Sequence, residues 1–284
     1  MEPEYLITPV PIQLVHGGMN WGLGIMGRTP AFSYESLIEA YFADDYTKLE
    51  SNYGYQIIKD RSTLKDLWET GVGRVTLKSK CIRASEDKIL MVTSGEIFKP
   101  ALGEFKKWVE MGQVMIGNES GKDIGITVSR VPRARNVNMD EMYQYAVRAS
   151  TMSRSYNILV VEDERVRTIG IKEWMDLTVS RYTKFFNESK NDRIASREKT
   201  IEVLTIMPQV ARMIIDQKTD EQILAAMTEL NQDILNSIKR RSIGSLRRTD
   251  YEPELNKLRT EIANIKKEDA TVAIRAFSQS MFNS

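Results

Sequence analysis

Apolar and polar positions along this chain follow a two-residue period first and a helical period later. Residues 74–83 (RVTLKSKCIR) alternate, with Val75, Leu77 and Cys81 on one side and Lys78 and Lys80 on the other. That pattern predicts a strand with one solvent-facing side. The runs at 88–94 (KILMVTS), 123–129 (DIGITVS), 156–161 (YNILVV) and 165–171 (RVRTIGI) also predict strands. Glu162-Asp163-Glu164 supplies the turn between the last two. Residues 33–43 (SYESLIEAYFA) predict a short helix, starting either at Ser33 with Glu35 in its first turn or at Ser36 with Glu39 at capping-box spacing. Further helices are expected over 100–111 and 138–151, the latter opened by Asn138 with Asp140 and Glu141 behind it.

From Ile171 to Met207 there is neither Gly nor Pro. As one helix this segment is roughly 55 Å long at 1.5 Å per residue. Its centre (NESKNDRIASREK, 187–199) is polar nearly all round, so it belongs outside a compact core and paired with another element. Leu255, Leu258, Ile262 and Ile265 step by three, four and three, an a/d seam that suits such a partner. Between them lie an apolar helical stretch (209–216) and a second helix opened by the capping box Thr219-Asp220-Glu221-Gln222. The expected class is α+β: a mixed α/β domain, then a long antiparallel coiled-coil arm with a small helical domain at its far end.

Composition sharpens this division. The chain has 284 residues, which suggests about two domains. Fourteen of its 16 glycines lie at or before Gly125, so turns concentrate in the first half. Forty Lys and Arg against 39 Asp and Glu leave a net charge of +1, with no whole-chain signature of a nucleic-acid partner. There is no run of 18 apolar residues, so no membrane helix or membrane partner is expected. The acidic, Pro-containing start does not read as a signal peptide. Single cysteine and histidine residues, Cys81 and His16, exclude a disulfide framework, a His/Cys zinc site and an ordinary Ser-His-Asp triad, and they fit a reducing compartment.

Several local patterns have two readings. Gly22-Leu23-Gly24-Ile25-Met26-Gly27 matches G-x-G-x-x-G, with Asp44 and Asp45 about 20 residues on. Pro30 and a helix start near Ser33 argue against a dinucleotide site, which needs a helix beginning at the glycines. Glu162-Asp163-Glu164 reads better as a solvated turn than as a metal site. The basic run Lys239, Arg240, Arg241, Arg247 and Arg248 suits phosphate contact and a cationic helix end equally. Arg130, Arg133 and Arg135 are further cationic candidates, while Lys78 and Lys80 also fit the lysines that guard exposed strands. Trp21, in a Gly-rich stretch, is either packed beneath it or presented as a wedge between base steps.

Longer segments carry a resemblance. EPEYLITPVPIQLVHGGMNWGLGIMGRTPAFSYESLIEAY (2–41) resembles the stretch after the catalytic domain in the DNA-cleaving subunit of type IIA topoisomerases, the family of the gyrase A, topoisomerase IV and phage medium subunits. Trp68-Glu69-Thr70-Gly71-Val72-Gly73-Arg74-Val75 is similar to the family's Y-x-T-G-R-G-x-V/I, which opens its tower strands. DIGITVSR (123–130) with the helix around Met142-Tyr143, NILVVEDERVRTIGIKEWMDLTVSRYTKF (157–185) and ILNSIKRRSIGSLRRTDYEPELNKLRTEI (234–262) match further family elements in order. The resemblance covers roughly residues 2–267.

The resemblance implies a remnant of the DNA-gate core at 1–45, a tower domain at 46–170, and a coiled-coil arm with a dimerising exit gate at 171–284. It implies that His16, Trp21, Arg28, Arg74, Lys78 and Lys80 bind DNA. It departs from the family at points: the intercalating Ile falls on Trp21, an Asn on His16, the Arg between the tower glycines on Val72, and the Arg-rich part of the arm on Asn187-Glu188. The family's nucleophilic tyrosine sits in a winged-helix domain ahead of the first matching segment. Ser180-Arg181-Tyr182-Thr183 imitates its R-Y-T, but Tyr182 follows the tower motifs, so no catalytic or metal-binding residue is expected in this chain.

The implied function is that of a subunit in an ATP-dependent type II DNA topoisomerase in the cytoplasm of a bacterial or phage-infected cell. Its partners would be double-stranded DNA, a second copy at the exit gate, a winged-helix/tyrosine chain, and an ATPase/TOPRIM subunit holding Mg and ATP. Under this resemblance no DNA-wrapping domain is expected after Ser284, which would weigh weakly against gyrase-type supercoiling. A non-catalytic DNA-bending or scaffolding protein with the same architecture is the alternative. A nucleotide-dependent oxidoreductase is a distant third.

Overall fold

Backbone pairing in the first half joins segments far apart in sequence. The computed structural model describes residues 7–22, 25–52, 56–58, 60–93, 103, 105–119, 124–134, 136–162, 165–227, 230–240 and 250–281. The chain divides into two compact units, Met1–Arg181 with Ser280–Ser284, and Tyr182–Gln279.

The strands of the first unit are β1 (Gly18–Gly22), β2 (Ile25–Thr29), β3 (Gln56–Ile58), β4 (Val72–Ser85), β5 (Lys88–Thr93), β6 (Val114–Asn118), β7 (Ile124–Arg130), β8 (Thr151–Asn157), β9 (Leu159–Glu162) and β10 (Arg165–Thr168). Eight of them form one antiparallel sheet in the order β1-β2-β8-β4-β5-β7-β6, with β3 also on β4; β9 and β10 form a separate hairpin. Strand β4 is long enough to serve both halves: Val72–Lys78 pairs with β8, and Lys80–Ser85 with β5. Its alternation is the expected one, since Val75, Leu77 and Ser79 are buried while Arg74, Lys78 and Lys80 are exposed.

The helices are α1 (Ile12–His16), α2 (Tyr34–Ala43), α3 (Leu64–Thr70), α4 (Met139–Ala149), α5 (Ile171–Ile215), α6 (Asp220–Ala226), α7 (Gln232–Lys239), α8 (Glu252–Lys267) and α9 (Ala270–Met281), with a further helical segment at 105–110. Ser33 caps α2, accepting from the Ser36 N–H at 3.2 Å, which decides between the two starts read from sequence. Asn138 caps α4 and accepts from the N–H groups of Asp140 and Glu141. That helix lies against β4, β5 and β8. Its Met139, Met142 and Ala146 are buried, as are Ile89, Met91, Val114, Ile126 and Val128 of the sheet. Phe105 meets Tyr145 edge-on, with ring centroids 5.5 Å apart.

The junction at Gly71 ties these parts together. Gly71 ends α3 with φ 78°, a left-handed C-cap. Ile158 donates its N–H to the Gly71 carbonyl at 2.9 Å, and Ile169 donates to the Ile158 carbonyl at 3.1 Å. A Cβ at Gly71 would collide with the Ile169 carbonyl oxygen, and one at Gly170 would lie 2.5 Å from the Glu69 carbonyl oxygen. Polar side chains then hold the first turns of α5. Lys172 pairs with Asp44 at 2.5 Å, the Tyr41 hydroxyl donates to Asp176 at 2.9 Å, and Arg167 reaches Glu162 at 2.6 Å and Glu173 at 2.8 Å.

In the second unit, α5 supplies buried Val203, Leu204, Met207 and Val210 to a cluster with Ile223, Leu235, Ile238, Tyr251 and Leu255. The capping box of Thr219 and Gln222 opens α6 as expected. Helices α5 and α8 run antiparallel: Arg197 pairs with Glu261 at 2.8 Å, and Arg193 further back pairs with Glu268 further on at 2.7 Å. Lys190 closes the end of α8, donating to the Lys266 and Glu268 carbonyls at 3.0 and 2.6 Å. Leu255, Ile262 and Ile265 of the expected seam are buried, and Leu258 is half-buried. Among the described residues, no helix is long and apolar enough to cross a membrane.

Four expectations need correction. The Gly-rich stretch around Trp21 is a pair of strands, β1 and β2, rather than a turn. The strand expected over 156–161 breaks at Ile158, whose backbone turns aside to bond Gly71 and Ile169, and β8 instead begins at Thr151. The strand expected over 165–171 ends at Thr168, and Ile171 already belongs to α5. That helix also continues through Pro208 to Ile215. Proline removes one backbone bond, at a cost of roughly 3 kcal/mol in a helix interior. Leu204, Met207, Val210 and Ala211 around it are buried, and that apolar burial offsets the loss.

Gly71→Ala should destabilise the first unit by at least about 2 kcal/mol, since it combines a left-handed φ with a backbone collision; urea unfolding measures this. The Tyr41 hydroxyl, pushed up to about 12 by burial and by its bond to Asp176, should ionise well above the ordinary tyrosine range. Because the folded value is raised, its contribution to stability is complete below pH 10 and is lost as pH rises through 12. Ultraviolet titration of the wild type against Tyr41→Phe tests this.

Candidate nucleic-acid interface

Residues directly opposite one another in antiparallel strands share a face of the sheet. Arg28 of β2 lies opposite Asn157 of β8, and Asn157 lies opposite Val72 of β4. Along the same strands Met19 faces Arg28, Arg74 faces Ser155, Thr76 faces Ser153 and Lys78 faces Thr151. Lys80 follows by alternation. Arg28, Arg74, Lys78 and Lys80 therefore occupy one face, opposite the face that buries Val75 and Leu77. Trp21 is opposite Met26 in the register of the β1–β2 hairpin, next to its tip; its side chain and residues 23 and 24 lie outside the described residues. His16 is exposed at the end of α1, ahead of β1, and does not lie on a strand.

The face is neither purely basic nor purely polar. Met19, Met26 and Val72 are about half exposed on it, at 51%, 46% and 51%. A row of hydroxyls accompanies them, with Thr76 and Ser153 bonded to each other at 3.0 Å. Arg28 turns one guanidinium N–H to the Met19 sulfur at 3.0 Å, and its Nε is buried with no hydrogen-bond partner among the described residues.

Charge pairing separates this face from the rest of the sheet. Arg83 is paired with Asp140, Lys88 with Glu119 and Arg130 with Asp87. Arg74, Lys78 and Lys80 form no ion pair among the described residues. Cations free of ion pairs can neutralise the phosphates of a polyanion, which then releases its own condensed counterions. Six residues of strand between Arg74 and Lys80 span about 20 Å, the axial length of roughly six base pairs of duplex.

The other candidates fall elsewhere. Lys239 pairs with Asp220 at 2.8 Å and Arg240 caps α7, while Arg241, Arg247 and Arg248 lie outside the described residues. Arg133 is exposed in a turn, and Arg135 is likewise not among the described residues. Glu162 is engaged by Arg167; Asp163 and Glu164 are outside the description. The dinucleotide reading fails because Ile25–Thr29 is a strand, leaving no helix N-terminus for a pyrophosphate. Tyr182 lies within α5, stacked on Phe186 and edge-on to Phe277, and burial pushes its hydroxyl up, away from a nucleophilic phenolate. Burial likewise raises the Cys81 thiol to about 11, so it stays protonated at neutral pH. Among the described residues no group of three or more His, Cys, Asp or Glu is placed to hold a metal ion. A scan of protein-family models and a search of curated proteins find no match to this chain.

Sequence reading did not single out Met19, Met26 or the hydroxyl row. The alternation of Thr151, Ser153 and Ser155 was a visible signal for the row. The exposed methionines had none, because their side depends on the register with β8. Arg74→Ala, Lys78→Ala and Lys80→Ala should each change unfolding free energy by no more than about 0.5 kcal/mol, as expected for unpaired surface cations. Thermal or urea denaturation of the single variants and of the triple variant measures this.

Proposed function

We propose that this chain is the tower, arm and exit-gate part of a type IIA topoisomerase cleavage subunit, and that it binds and bends gate-segment DNA on the open sheet face. The observation that carries this reading is the meeting of Arg28, Arg74, Lys78 and Lys80 on one face, the last three without ion pairs among the described residues. The ordered resemblance in sequence supports it. So does the antiparallel pairing of α5 with α8, joined to a small helical cluster as an arm with a terminal gate would be. A second copy would meet it at that gate, in the cytoplasm of a bacterial or phage-infected cell.

In this reading the Lys and Arg side chains hold phosphates and fix the duplex on the sheet. Met19, Met26 and Trp21 belong to the adjoining hairpin, which deforms it; an apolar side chain entering a base step kinks the duplex. Tyrosine nucleophile, Mg and ATP come from partner chains.

Duplex binding followed by fluorescence anisotropy should show log K falling with log salt at a slope of about −3, matching three phosphate contacts. Lys78→Ala should flatten that slope by about one unit, uniformly across sequences. A slope near zero, or one that the variants leave unchanged, overturns the assignment of the face. Reconstitution with a winged-helix/tyrosine chain and an ATPase subunit should yield ATP- and Mg-dependent relaxation or decatenation. Bending without any strand passage would instead favour a non-catalytic DNA-bending or scaffolding protein.

A further inference from the structure

The β9–β10 hairpin lies outside the main sheet yet touches it at its most informative points. Gly27 of β2 has no side chain, and a Cβ there would sit 3.1 Å from Cγ and Cδ1 of Leu159. Gly27 and Arg28 are neighbours on one strand, so the side of β2 that meets Leu159 is opposite the side that carries Arg28. Leu159 therefore supports the β1–β2 hairpin from behind its open face. Thr168, directly opposite Leu159 at the same end of the short hairpin, donates its hydroxyl to the Asn157 side chain at 3.3 Å. Asn157 is the residue opposite both Arg28 and Val72, so this bond reaches the row that joins β2 to β4. Arg167 locks the hairpin in place, with Nε to Glu162 and Nη2 to Glu173 in the first turn of α5.

We propose that the β9–β10 hairpin is a buttress that fixes the attitude of the β1–β2 hairpin, with Leu159 as the supporting contact and Arg167 as its lock. Both are positioning residues: neither is on the open face, and each acts through β2. The functional consequence rests on the DNA reading above. The buttress holds the tip against the force of a bent duplex, while Arg74, Lys78 and Lys80 supply the phosphate contacts independently. Support for the hairpin and charge on the floor are thus separate variables. A Leu159 variant should bend DNA less without changing the number of phosphates held.

The test uses the full chain carrying Leu159→Ala, with Arg167→Gln as a second variant whose side chain is partly exposed and whose loss leaves no cavity. Amide hydrogen exchange over 18–22 and 25–29 is read first, without DNA. Both variants should speed exchange there by about tenfold or more, while β4, β5 and β7 keep their protection. End-labelled duplex measured by energy transfer should then show a smaller bend, with the salt slope of binding as in the wild type. Unchanged exchange over 18–29 overturns the buttress, even if DNA binds. Loss of protection across the whole sheet also overturns it, because that would mark a general packing residue. If the wild type does not bind duplex, the DNA reading fails, and the exchange measurement alone still decides whether Leu159 and Arg167 hold the hairpin.

Discussion

Two backbones cross at Gly71 and Gly170 with no room for a side chain on either, and the first unit is organised around that crossing. The collision is reciprocal: Gly71 meets the carbonyl of Ile169, and Gly170 meets the carbonyl of Glu69. One close approach therefore fixes the end of α3, the start of β4, the end of β8 through Ile158, and the entry into α5. Only glycine permits this spacing, and at Gly71 the left-handed φ adds a second reason for it. Arg74 lies three residues beyond the crossing, and Glu173 lies three residues beyond it on the other strand of chain. The open face and the base of the long helix are consequently referred to the same fixed point.

That constraint explains why the candidate side chains share a face. Alternation along β4 puts Arg74, Lys78 and Lys80 on one side, but this says nothing about which residues lie beside them. The pairing of β8 with β4 brings Ser153 and Ser155 alongside, and the single bridge between Arg28 and Asn157 adds the β1–β2 hairpin. Gly73 contributes from the opposite side: its missing side chain leaves space for Leu67, so α3 covers the buried face and leaves the other bare. A helix on one side and none of the described helices on the other is how an antiparallel sheet commonly divides core from solvent.

Much of the local structure was legible because it depends on short-range chemistry. Caps at Ser33, Asn138 and Thr219 announce helix starts, and the alternation of 74–83 announces both the strand and its solvent face. The three- and four-residue spacing of Leu255, Ile262 and Ile265 announced which side of α8 is buried. What could not be read depends on contacts between distant segments. HGGMNWGLG is rich in turn formers, yet Gly18–Gly22 within it is strand because β2 offers a partner. Pro208 signals a break by its own chemistry, but four buried neighbours outweigh one missing bond. The break at Ile158 has no local signal at all, since its cause is the pair of backbone bonds to Gly71 and Ile169. The candidate site divides in the same way: Lys78 and Lys80 were visible from alternation, whereas Met19, Met26 and the bridge to Arg28 needed the register.

Net charge was the wrong scale on which to look for a polyanion site. Forty bases and 39 acids cancel in the sum, but their cancellation in space is uneven. Lys88, Arg83, Arg130, Arg167, Lys172, Arg193, Arg197 and Lys239 each have a carboxylate within ion-pair distance. Bases consumed in this way contribute little to the field beyond a Debye length, about 8 Å at physiological salt. Arg74, Lys78 and Lys80, by contrast, have no ion pair among the described residues and stand together on one strand. Exposed surface ion pairs add little to stability, so their distribution is free to be set by other demands. Leaving these three neighbouring bases without ion pairs among the described residues costs the fold little and concentrates positive field on one face of the sheet.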